Sequence, residues 1–203
     1  YRGDELFTIG MPCGGIGAGQ LYVRGDGTLA RWWIFNDNYN TTFYQETTHE
    51  KGYKTYRPES DVNQGFAIQT KTKKGQAIKL PLSQEGFNDI GFIGEYPIAT
   101  IMYEQPKENI PVDIELEVFS PFIPLDARNS AIPATIFSYK VTNSSKEEVD
   151  VKIDGWLENA ILKKYNTQVK AKRYNSVHNN ESFVVAYMNL VNSDGKNQIS
   201  KSI

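Results

Sequence analysis

Cysteine occurs once in these 203 residues and histidine twice, so the chain is short of the residue types that build most metal centres and nucleophilic triads. Cys13 has no partner for an internal disulfide, and folding therefore needs no oxidising compartment. His49 and His178 have no ligand spacing around them, and neither a metal nor a cofactor is expected. No Gly-x-Ser-x-Gly elbow is present to support a serine hydrolase. An excess of one charge is missing as well. The 22 Lys plus Arg are interspersed with 24 Asp plus Glu, for a net −2, which leaves no basic face for nucleic acid. No apolar run approaches the ~20 residues of a membrane-spanning helix, and Tyr1-Arg2-Gly3-Asp4 does not read as a signal peptide. Helical periodicity is nearly absent. Only 156–165 offers it, through Leu157, Ala160, Ile161 and Tyr165, and a strand end followed by a loop fits that stretch equally.

What the chain has is strand alternation and aromatic bulk, with 12 Tyr, 10 Phe and 3 Trp to fill a core. Val112, Ile114, Leu116 and Val118 alternate with Asp113, Glu115 and Glu117, the pattern of a strand with one wet side. Val149, Val151 and Ile153 alternate with Asp150, Lys152 and Asp154 in the same way. The more continuously apolar runs 132–141 and 183–187 are expected to be central. Gly25-Asp26-Gly27, Lys73-Lys74-Gly75 and Asn143-Ser144-Ser145-Lys146 each separate two such runs and predict hairpins. The stretch 36–63 lacks periodicity and reads as a long loop with at most one irregular strand. The whole, 1–203, is expected to be one antiparallel all-β domain, a sandwich or super-sandwich.

The glycine run from Gly10 to Gly19 invites a phosphate-binding reading, but strands rather than a helix follow it, and close backbone approach explains the glycines better. Asp113, Glu115 and Glu117 share a face, as paired catalytic carboxylates could, yet like charges on one exposed strand face are ordinarily just solvated. Arg2-Gly3-Asp4 and Arg24-Gly25-Asp26 spell an adhesion tripeptide, read here as a frayed end and a turn. Asn40, Asn143 and Asn180 head glycosylation acceptor sequences. Arg31-Trp32-Trp33 places indoles on both faces of one strand, so Trp32 or Trp33 is a candidate carbohydrate platform. Pro121 and Pro124 take Ser120-Pro121-Phe122-Ile123-Pro124-Leu125 out of the ladder. Phe122, Ile123 and Leu125 then either cap the core or form a docking surface for another domain.

Several of these segments together resemble a known family: the glycine run with Gly25-Asp26-Gly27 and Arg31-Trp32-Trp33, then Gly94-Glu95-Tyr96-Pro97-Ile98-Ala99, then 119–125 and Ser130-Ala131-Ile132-Pro133-Ala134. In order, from about Glu5 to about Val191, they are similar to the amino-terminal domain of glycoside hydrolase family 116, the family of the non-lysosomal glucosylceramidase and its bacterial relatives. The resemblance implies a β-sandwich packed on a carboxy-terminal (α/α) barrel. In that family the barrel carries a glutamate nucleophile and an aspartate acid/base, and cleaves β-glucosides, β-xylosides or glucosylceramide with retention. Neither catalytic segment matches this chain, so no catalytic residue is assigned to it. The implied partner is the catalytic domain of the same protein, with carbohydrate as a candidate ligand; the alternative is a stand-alone carbohydrate-binding or protein-interaction β-sandwich. An extracytoplasmic location, periplasmic or secreted, is implied over a cytoplasmic one. Further strands of the sandwich are expected beyond Lys201-Ser202-Ile203.

Overall fold

The computed structural model describes residues 1–34, 44–48, 54–58, 60, 62–161 and 171–192; the side chains of Trp33, 44–48, 54–58 and Asn192 lie outside the description. The chain divides into two compact units, Tyr1–Trp156 and Leu157–Ile203.

The first unit is the antiparallel sandwich that the alternation predicts. Its elements run β1 (Gly10–Cys13), β2 (Gln20–Arg24), β3 (Leu29–Trp33), β4 (Tyr44–Thr48), β5 (Lys54–Pro58), β6 (Gln64–Thr72), β7 (Ile78–Pro81), β8 (Phe87–Glu95), β9 (Ile98–Pro106), β10 (Val112–Phe119), α1 (Ala127–Ser130), β11 (Ile136–Asn143) and β12 (Val149–Leu157). They form sheets in the orders β1-β2-β3, β11-β10-β9-β8, β12-β6-β7 and β4-β5. Val112, Ile114, Leu116 and Val118 bury the inner side of β10 beside Ala99, Ile101 and Tyr103 of β9, and Ile68 and Leu80 bring the second sheet into the same core. Phe66 of β6 closes the gap between sheets by packing on Phe137 and Tyr139 of β11, with ring centroids 5.3 and 5.4 Å apart.

Four local readings are corrected. The turn at 143–147 is not a hairpin, since β11 and β12 belong to different sheets. Asn143 and Ser145 close the bend themselves: the Asn143 amide donates to the Glu147 carbonyl at 2.7 Å and its Oδ1 accepts from Ser145 N–H at 2.9 Å. Local turn chemistry fixes a reversal but not the sheet the chain reverses into. Of the 132–141 run, the part from Ile136 on lies in β11, which is at the edge of its sheet and not central, with β10 as its one neighbour among the described residues. The 36–63 stretch contains a paired hairpin, β4 with β5, and Tyr- and Thr-rich segments suit strands without alternation; apart from Ser60, Val62 and Asn63, the rest of that stretch lies outside the described residues. Finally, the first residues are not frayed. The Tyr1 nitrogen donates to the Phe92 carbonyl and Phe92 N–H returns to the Tyr1 carbonyl (2.8 and 2.9 Å). The Arg2 guanidinium lies between Asp89 and Glu104, 2.7 Å from each.

Of the second unit, the structure describes the hairpin β13 (Ala171–Asn179) and β14 (Val184–Asn192). Asn159 is buried beside it, its amide donating to the Tyr174 and Asn189 carbonyls at 3.2 and 3.0 Å. Phe183, Val184 and Tyr187, expected to be central, are exposed. Residues 158–161 are not helical, so the strand-end reading holds there, and 162–165 lie outside the described residues.

Candidate functional site

Three of the segments quoted for the resemblance meet at one end of the sandwich. Between β10 and β11 the chain makes an excursion that begins at Ser120, where Pro121 and Pro124 deny the ladder a donor. Asp126 caps the short helix α1 by accepting from Asn129 N–H at 3.0 Å, and that hydrogen bond holds its carboxyl below the usual carboxylate range. Ser130, at the end of the helix, is buried and ties the loop to itself: its hydroxyl accepts from Ile123 N–H at 2.9 Å and donates to the Ile123 carbonyl at 3.1 Å.

The glycine run closes on this excursion. Ile16 N–H donates to the Ser130 carbonyl at 2.9 Å. A Cβ on Gly15 would lie 2.5 Å from the Ile132 carbonyl oxygen and 2.7 Å from Ala131, and one on Gly14 would strike the Gly19 carbonyl. The glycines thus serve close backbone approach. The third segment arrives from the β8–β9 turn, where Tyr96 meets Phe122 edge-on at 5.4 Å between centroids.

This end leaves apolar surface in water. Phe122 is 42% exposed, Ile123 48%, Tyr96 61% and Leu125 completely, at 108%. The outer face of the four-stranded sheet continues it. Register aligns Ile136, Phe119 and Ile98 across β11, β10 and β9 on the side away from the core, and Ile98, Ile136 and nearby Ile93 are exposed. Farther along the same face the surface turns polar, with Glu115 3.9 Å from Lys140 and Asp113 and Glu117 exposed. Those carboxylates lie in water on the wet side of β10, as the alternation requires.

The other sequence candidates fall elsewhere. Trp32 packs against the core, and its indole nitrogen is buried without a hydrogen-bond partner among the described residues. The cause is a β-bulge: register slips between β2 and β3 beside Leu21, and Arg31 takes a left-handed conformation (φ 46°). One extra residue reverses the alternation beyond it. The side chain of Trp33 lies outside the description. Asp26 of the second adhesion-like tripeptide is 3% exposed and accepts from Thr28 N–H at 3.1 Å, so it is spent on its own turn. Cys13 is buried, which pushes its thiol up to about 11. No group of three or more His, Cys, Asp or Glu able to hold a metal occurs among the described residues, and no described helix is long and apolar enough to cross a membrane.

Sequence reasoning missed one indole, Trp156. The signal was available: Asp150, Lys152 and Asp154 mark the wet side of β12, and Trp156 continues their parity.

Fold and site together define an antiparallel β-sandwich that presents an apolar loop cluster at one end. Residues 10–201 match the family described as beta-glucosidase 2, glycosyl-hydrolase family 116 N-term. The chain belongs to that family, as the amino-terminal domain of a glycoside hydrolase, and this implies a catalytic domain as its partner in the same protein. No curated protein matches the chain.

Proposed function

We propose that this chain is the non-catalytic amino-terminal sandwich of a retaining β-glycosidase acting on β-glucosides or glucosylceramide-like substrates, and that the loop cluster docks it onto the catalytic (α/α) barrel. Leu125 carries the docking reading. It is fully exposed and held in the left-handed region (φ 67°), so a large apolar side chain is both strained and left in water. Such an outlier in the middle of an apolar patch is accounted for by a surface that covers it.

Burying a leucine side chain is worth about 1.5–3 kcal/mol, whereas an exposed substitution changes stability by less than about 0.5 kcal/mol. Leu125→Asp is therefore expected to lower the melting temperature of the full-length enzyme and its kcat on an aryl β-glucoside, while leaving the melting of this chain alone unchanged. This chain alone is expected to hydrolyse nothing. Equal melting of variant and parent in the full-length enzyme refutes the docking role, and hydrolysis by the chain alone refutes the non-catalytic one. We also propose a location outside the cytoplasm, periplasmic or secreted, on the family resemblance; fractionation of expressing cells tests it.

A further inference from the structure

Trp156 is 46% exposed and yet fixed in place. Its Nε1 donates to Asn63 Oδ1 at 3.1 Å. The ring lies across Gly65: a Cβ built there would meet Cζ2 of the indole, with Cη2 at 2.8 Å and Cε2 at 2.9 Å. Three ring atoms crowded around one point describe a ring lying over it, not one pointing at it. Gly65 is thus the floor on which the indole rests, and the opposite face of the ring is what solvent meets. Gly155, next in the chain, is on the inner side, where a Cβ would meet Phe66 at 3.0 Å.

Two residues back on the same outer face, Asp154 accepts from Lys152 and Lys79, each at 2.7 Å. Lys79 reaches Asp154 from β7 across the intervening β6. The hydrogen bonds from Lys152 and then Lys79 hold the Asp154 carboxyl below the usual carboxylate range, so it is ionised at neutral pH. A carboxylate accepting two bonds retains lone pairs, and each ammonium retains donors. A rigid flat aromatic face therefore sits beside a cluster of donors and acceptors.

We propose that Trp156 is a carbohydrate platform on the outer face of the β12-β6-β7 sheet, with Asp154, Lys79 and Lys152 as partners for the sugar hydroxyls. The ligand class is a neutral β-linked gluco-oligosaccharide. Its pyranose rings turn axial C–H bonds onto the aromatic face, where the negative π surface attracts them, and direct their equatorial hydroxyls sideways toward the polar cluster. The choice of glucose rests on the β-glucoside reading above; the platform itself rests only on the indole geometry.

The test is titration of the chain with cellotetraose, followed through the indole N–H signals of the three tryptophans. Trp156→Phe identifies the Trp156 signal by its disappearance. The expected result is a saturable shift of that signal in the parent at millimolar sugar; calorimetry, which needs no indole at 156, is expected to find affinity nearly kept in Trp156→Phe and weakened about tenfold in Trp156→Leu, which keeps apolar bulk without a flat face. No shift of the Trp156 signal in the parent protein overturns the proposal, and so does undiminished affinity in folded Trp156→Leu. Binding of cellotetraose by the chain and hydrolysis by the full-length enzyme are read separately, so either can fail alone.

Discussion

Replacing Gly15 by alanine tests whether the glycine run exists for backbone contact. The new methyl would meet the carbonyl of Ile132 and the backbone of Ala131, and neither can swing aside as a side chain would. Overpacking of this kind costs about 1–3 kcal/mol. If the two loops part to relieve it, the Ile16 to Ser130 hydrogen bond (2.9 Å) is lost as well, for about 1 kcal/mol more. The total is about 2–4 kcal/mol.

Gly17→Ala is the control. Gly17 has φ 71° and nothing within 4 Å of its would-be Cβ, so alanine there meets only the left-handed penalty, about 1–2 kcal/mol. Both substitutions stiffen the unfolded chain alike, and that contribution cancels in the comparison. Urea unfolding followed by tryptophan fluorescence measures both, with the slope expected to stay constant. Gly15→Ala no more destabilising than Gly17→Ala refutes the reasoning and reopens the question of what the glycines are for.

Two further outcomes follow from the same geometry. Cys13, buried with its thiol pushed up to about 11, should react with a disulfide reagent at neutral pH only as the protein unfolds; rapid labelling of native protein contradicts its placement. Glu104 is held below the usual carboxylate range, chiefly by the hydrogen bond from Arg2. Its contribution is therefore present at neutral pH and lost as pH falls through its folded-state value. Arg2→Gln should flatten the decline of the melting temperature in acid, and identical acid limbs in variant and parent rule the pairing out.

β10 was legible residue by residue, because its core side and wet side alternate without interruption from Val112 to Phe119. The β2–β3 and β6–β7 hairpins were legible because their turns join strands that pair directly. The turn after Asn143 looks the same locally, yet it carries the chain to another sheet, a choice that local turn chemistry does not encode. Which indole of Arg31-Trp32-Trp33 faces the core was not legible, because the left-handed residue Arg31 and the register slip beside it are invisible in a period-two pattern. For Trp156 the parity was present, but apolar spacing in 156–165 obscured it.

The two proposed surfaces do not compete for the same space. The loop cluster continues onto the outer face of β11-β10-β9-β8, whereas Trp156 rests on the outer face of β12-β6-β7; these two sheets turn their inner faces to one core, so their outer faces point away from each other. A barrel docked at Leu125 and Phe122 leaves the indole uncovered, and a glycan on the indole leaves the docking loops free. The bulge at Arg31 is consistent with this division. By turning Trp32 toward the core it spends that indole on packing, while Gly65, by offering no side chain, leaves room for Trp156 to lie flat on the sheet. Aromatic residues alone therefore did not mark the sugar platform. What marks it is an aromatic ring placed over a glycine on the wet side of a strand, and that combination becomes visible only when β6 and β12 are brought side by side.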